Sequence, residues 1–198
     1  MTSGEDIDLK VVLLGDSNTG KTCLLHRYLH GTFCESMTTC GASFAAKTVQ
    51  LPHRTGRIGL WDTAGQERFD ALSRFYCRGA GAALICYDLT DRASFDCVLR
   101  RWIKRVKEEA AKGCLLYLVG TKSDLTAERV VTAEAVAELA QKTHADGTFE
   151  TSSLTGANVA DVFDAVSRDF FCRAPEGDAD AAGVSLAKSK DGGGSCCG

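Results

Sequence analysis

The chain lacks what several functional classes require. It has no basic excess: 23 Lys and Arg against 26 Asp and Glu give a formal net charge of −3. Non-specific nucleic-acid binding usually needs the opposite balance, so no nucleic-acid partner is expected. Met1 to Lys10 is polar and acidic and holds no apolar signal-peptide core. No stretch reaches the length of a membrane span. The expectation is a reducing, cytosolic setting in which thiols stay free. The 10 cysteines include no CxxC pair, which argues against zinc. Six of them, Cys23, Cys77, Cys86, Cys97, Cys114 and Cys172, lie in or beside apolar runs and read mostly as small buried hydrophobes. No internal repeat is visible.

What is present suits a globular protein. Its 198 residues, 44% hydrophobic and 25% charged, are enough for one domain with a real core and a short tail. Lys10 to Leu14, Ala82 to Tyr87 and Cys114 to Val119 are short continuous apolar runs, as strands buried on both faces show. Ser43 to Leu51 and Arg57 to Trp61 are weaker strand candidates around a turn at Pro52 to Gly56. Thr148 and Phe149 can close the sheet. Helical spacing appears over Thr22 to His30, Ser94 to Lys112, Thr132 to Lys142 (with Thr132 as N-cap) and Val159 to Phe171. This alternation predicts an α/β doubly wound fold: three layers, a mostly parallel six-stranded sheet and flanking helices. The domain is expected over residues 8–172. Residues 173–198, rich in Ala, Gly, Ser and Asp, are expected as a flexible tail.

The strongest motif is Gly15-Asp-Ser-Asn-Thr-Gly20-Lys21-Thr22, which matches GxxxxGK[ST] between a strand and a helix. The glycines let the backbone wrap around phosphates, and N–H groups at the helix start face the negative charge. Lys21 can reach β- and γ-phosphates, and the Thr22 hydroxyl can ligate Mg²⁺. In Trp61-Asp62-Thr-Ala-Gly65-Gln66, a strand-end Asp62 suits a water-mediated hold on Mg²⁺. Gly65 offers a closely approaching N–H, and Gln66 can orient an attacking water. Thr121-Lys122-Ser123-Asp124 follows an apolar run. A carboxylate at Asp124 can accept two hydrogen bonds from the guanine N1–H and N2 amino groups, whereas adenine has no matching donors. The aliphatic stem of Lys122 can lie over a base.

Taken in order, Gly15 to Thr22, Thr39, Asp62 to Gln66, Thr121 to Asp124 and Glu150 to Ser153 resemble the five nucleotide-binding motifs of Ras-like small GTPases. Trp61 to Phe69, Tyr76 to Ala80, Cys40 to Phe44 and the Cys196-Cys197 pair resemble Rab signatures. Tyr87 to Asp91, with Gly120 to Leu125 and Phe149 to Ser153, is similar to the Rab branch linked to autophagy.

The resemblance implies a GTP/GDP switch in vesicle trafficking that hydrolyses GTP slowly with Mg²⁺. Asp16, Ser17, Asn18, Thr19, Gly20, Lys21, Thr22 and Cys23 would surround the phosphates. Phe33 would pack on the guanine edge, with packing against the core as its alternative. Thr22, Asp62 and Thr39 would hold Mg²⁺; Thr38 rivals Thr39, which is favoured because Cys40-Gly41 follows it. Gln66 and Lys21 would be catalytic. Ser152, Ser153 and Leu154 would lie at the base.

The implied partners are a nucleotide exchange factor, a GTPase-activating protein supplying an Arg in trans, switch I/II effectors, Rab escort protein and GDP dissociation inhibitor. An effector surface would use Phe44, Trp61, Phe69, Phe75 and Tyr76. Prenylation of Cys196 and Cys197, which do not form a C-a-a-X box, would attach the chain to the cytoplasmic face of intracellular membranes, cycling with the cytosol. The tail's three basic and four acidic residues form no polybasic patch.

The sequence also departs from the pattern. Thr121 stands where the family usually has an Asn that bridges base and phosphate loop. One hydroxyl cannot make both contacts, so nucleotide binding should weaken by about 1–3 kcal/mol. Leu154 replaces a usual Lys, Ser153 a usual Ala and Thr19 a frequent Val. Thr121 keeps open a second reading, a mostly GTP-bound scaffold, against which Gln66 argues. A P-loop kinase or ATPase is a third, disfavoured by Asp124.

Overall fold

The computed structural model describes residues 6–35, 42–63, 65 and 70–173, with the backbone alone at 70–73. Six strands form one sheet in the order β2-β3-β1-β4-β5-β6. They are β1 (Leu9–Leu14), β2 (Ala42–Gln50), β3 (Thr55–Thr63), β4 (Ala82–Asp88), β5 (Leu115–Thr121) and β6 (Gly147–Glu150). Only β2 and β3 pair antiparallel, as the expected hairpin; every other pair is parallel.

Period two explains why the central strands are continuous apolar runs. Leu9, Val11 and Leu13 of β1 join one core, while Val12 and Leu14 join the other. The same split separates Ala82, Leu84 and Cys86 from Ala83, Ile85 and Tyr87 in β4. A strand with helices on both faces has no polar side to show.

Helices α1 (Lys21–His30) and α6 (Val159–Arg173) cover the first face. α3 (Arg92–Cys97), a π-helical segment (Val98–Ile103) and α5 (Ala133–Thr143) cover the second. α2 (Asp70–Cys77) and α4 (Lys104–Glu109) complete the set. Thr132 does cap α5, accepting from the Ala135 N–H at 3.3 Å. The long helix expected from Ser94 starts earlier, because the Asp91 carboxylate caps it through the Ala93 N–H at 2.9 Å. It also ends earlier, where Ala110 turns extended. Arg173, expected in the tail, is the last residue of α6 and pairs with Asp146 at 2.8 Å.

All described cysteines are free thiols. Cys23, Cys77 and Cys86 are buried as expected, whereas Cys172 is exposed on α6. Burial pushes the Cys77 thiol up to about 11 and those of Cys86 and Cys114 to about 12. A raised acid keeps its stabilising effect below its unfolded value, near 9, and loses it as pH climbs toward the folded value. Unfolding free energy should therefore fall between pH 7 and pH 10, by about 1 kcal/mol for each of these thiols. Lys10 and Lys21, whose pKa values burial lowers, act in the opposite sense but are two groups against three. Denaturant melts at the two pH values check this; equal midpoints would mean that the thiols reach water in the folded state.

Parallel strands end on the same side. Leu14, Asp88, Thr121 and Glu150 therefore share one edge of the sheet, with the end of β3 beside them. The strand order reverses at β1, where doubly wound sheets leave a crevice at their C-terminal edge.

Candidate functional site

The site begins in the loop after β1. Gly15 has φ 144°, Asn18 63° and Gly20 76°. Left-handed residues alternating with ordinary ones turn successive N–H groups toward one concave side, which suits an anion. A Cβ on Gly15 would lie 2.2 Å from the Cys86 carbonyl oxygen, so no side chain fits there. Thr19 is buried and donates its hydroxyl to the Asp16 carbonyl at 2.9 Å.

Lys21 donates to that same carbonyl at 2.7 Å, arching back over the loop. Burial pushes its pKa down, against the pull of Cys86, Asp62 and Asp16. A desolvated ammonium facing a carbonyl is electrostatically underserved, and a phosphate would complete it.

Forty residues apart in sequence, the Thr22 hydroxyl donates to the Asp62 carboxylate at 2.7 Å. The parallel register sets Leu13 opposite Asp62 and brings this pair together. Asp62 is fully buried. A hydroxyl and a carboxylate are hard oxygen donors, and their meeting beside the phosphate loop fits Mg²⁺. Among the described residues no cluster of three His, Cys, Asp or Glu side chains exists. Phosphate oxygens and water, which Mg²⁺ favours, would supply further ligands. Gly65 packs against the loop: a Cβ there would sit 2.3 Å from the Asp16–Ser17 peptide.

Alongside lies a cleft of about 230 Å³. Cys23, Phe33, Leu125 and Leu154 give it apolar walls, and Thr121, Lys122, Asp124 and Ser153 bring polar atoms. Phe33 is 43% exposed, so it is part of the cleft rather than a core staple. Leu154 supplies an apolar wall where a Lys stem was missed. Lys122 adopts φ 60°. Its ammonium sits 2.6 Å from Asp88, whose other oxygen accepts from the Thr90 N–H and hydroxyl. Burial alone would raise the Asp88 carboxyl, but the Lys122 and Thr90 bonds outweigh it and leave it below its ordinary value. Of the two serines, Ser153 lines the cleft. Ser152 instead builds the loop, with its N–H bonded to the Ala157 carbonyl at 3.1 Å.

Several supports were not anticipated. The Asp16 carboxylate accepts from the Trp102 indole at 2.9 Å and pairs with Arg101 at 3.5 Å. Arg129 forks onto Glu150, which joins the loop after Asp124 to the loop of Ser153. Arg27 of α1 donates to the Thr155 carbonyl at 3.0 Å. Asp88 had been visible only as part of a branch signature. The partners of Asp16, Arg101 and Trp102, lie 85 and 86 residues away and carry no local signal.

Thr38, Thr39, Gln66, Phe69, Cys196 and Cys197 lie outside the described residues. Of the aromatic surface, Phe44 and Phe75 are exposed. Trp61 is half-buried against Phe44, with ring centres 4.7 Å apart, and Tyr76 packs on the second core.

A family model described as Ras family matches residues 10–171. The chain is 41% identical over 174 residues to Ras-related protein Rab-24 of Dictyostelium discoideum, covering 86% of this chain and 85% of that one. It is 37% identical to Ras-related protein Rab-19 of Mus musculus, covering 87% and 80%. It is 40% identical to Ras-related protein RABA2d of Arabidopsis thaliana, covering 84% and 76%.

Proposed function

Since the chain belongs to the Ras family, in its Rab branch, we propose that the loop and cleft described above are its guanine-nucleotide switch. Members of this family are GTPases that bind GTP and GDP with Mg²⁺, act in membrane traffic and answer to regulators and effectors. The observation that carries the assignment to these residues is the meeting of Lys21, Thr22 and Asp62 beside a cleft holding Asp124.

In this reading Lys21 and the N–H groups of Ser17 to Thr22 bind the phosphates. Thr22, Asp62 and Thr39 hold Mg²⁺, which when bound offsets phosphate charge. Asp124 reads the guanine amino and N1–H groups, the Ser153 N–H donates to O6, and Phe33 and Leu154 close the apolar walls. Gln66 orients the attacking water, Thr39 and Gly65 tie both switches to the γ-phosphate, and hydrolysis releases them. No Arg lies in the phosphate loop, so an activating protein supplies one in trans.

Residues 8–172 form the switch domain, and residues 173–198 carry the prenylated Cys196 and Cys197 to the cytoplasmic face of a membrane. Rab escort protein and GDP dissociation inhibitor handle that tail. Autophagy-linked traffic is the finer form of this reading, supported by the Tyr87 to Asp91 signature.

Single-turnover GTP hydrolysis on the full chain with Mg²⁺ tests it. Slow turnover is expected, with Gln66→Leu slower by on the order of ten-fold. Equal rates in the two proteins would favour a mostly GTP-bound scaffold, the alternative that Thr121 motivates through its weaker hold on the base.

A further inference from the structure

Thr121 sits at the end of β5, 2% exposed, where phosphate loop and base cleft meet. Its hydroxyl lies 2.9 Å from the Thr19 carbonyl and 3.0 Å from the Tyr87 carbonyl. A hydroxyl carries one proton, and both of these neighbours only accept. Whichever takes it, the proton is spent on the main chain. On its other side Thr121 packs against Gly20, where a Cβ would meet its Cβ and Oγ1 at 3.5 Å. Position 121 therefore keeps the tie between the phosphate loop and the sheet, and has no donor left for a ligand.

A guanine edge carries two adjacent acceptors, O6 and N7. In the reading above the Ser153 N–H serves O6. The Lys122 ammonium is held by Asp88 at 2.6 Å, and the Thr121 proton is committed. We infer that Thr121 makes this protein blind to purine N7: recognition rests on the Watson–Crick edge through Asp124 and Ser153. The site then accepts guanine nucleotides altered at position 7 as readily as the natural ones. This rests on the guanine-nucleotide reading above and narrows it.

The experiment is competition of GDP, 7-deaza-GDP and ADP against a fluorescent GDP on the full chain, wild type and Thr121→Asn. GDP and 7-deaza-GDP should displace the probe from wild type within about two-fold of each other, less than one net hydrogen bond is worth. In Thr121→Asn the new amide can donate to N7, so GDP should gain over 7-deaza-GDP by about five- to ten-fold. A wild-type penalty of about ten-fold for 7-deaza-GDP would overturn the inference, because another group, such as the Asn18 amide, would then be reading N7. A Thr121→Asn protein that binds GDP but still ignores the change would overturn it too, placing N7 out of reach of position 121. Equal displacement by ADP and GDP would instead sink the guanine reading itself, a distinct outcome.

Discussion

Asp124→Asn should cost GDP about 3 kcal/mol of binding, roughly a hundred-fold, and transfer preference to xanthosine diphosphate. Among the described residues Asp124 is the one carboxylate lining the cleft. An ionised carboxylate accepts both the N1–H and the N2 amino bonds of guanine. An amide keeps one acceptor and turns an NH₂ toward the guanine amino group, so two donors face each other without water. Xanthine carries a carbonyl at that carbon and restores the pair. Competition titrations with both diphosphates give the answer. If Asp124→Asn keeps the guanine preference, the base does not meet this residue and the cleft binds something else.

Lys21→Met should divide affinity from stability. The substitution keeps the length of the stem and removes the ammonium. Nucleotide affinity is expected to fall by about 4 kcal/mol, close to a thousand-fold, because charge-assisted bonds to two phosphates vanish. The nucleotide-free fold should melt no lower. Lys21 is 5% exposed and its pKa is pushed down by burial, so holding it charged costs folding energy below its ordinary value of 10.5. The Asp16 carbonyl keeps the Thr19 hydroxyl as a partner after the change. Calorimetric binding and thermal melts of the free protein check the two halves. A free protein that loses stability as steeply as it loses affinity would make Lys21 a structural residue instead.

The parts legible in the sequence are those encoded locally. The phosphate loop is a run of eight residues whose glycines, lysine and threonine sit at fixed spacing. The central strands show because both faces are buried and every position is apolar. Thr132 was readable as a cap because its partner, the Ala135 N–H, is three residues on. What stayed hidden needs the register. Asp88 reaches Lys122 only because the β4–β5 pairing sets Asp88 opposite Thr121. Thr121 looked like a lost contact, since sequence shows which atom is missing and not where the remaining hydroxyl points. The π-helical turn left no trace either. Its apolar spacing continues that of the helices on either side.

The two tryptophans of the chain stand at different ends of the switch. Trp102 is dark to solvent and holds its indole N–H against a carboxylate of the phosphate loop. Trp61 is half-buried one residue before Asp62, under the ammonium of Lys10 at 5.0 Å. Their emission is therefore an internal optical gauge. If the loop grips phosphates as proposed, the Trp102 signal would follow it, and the Trp61 signal would follow the face beside Phe44. Replacing either with Phe leaves the other as a single-colour readout, so loading and the response of the outer face can be timed separately without attaching a dye.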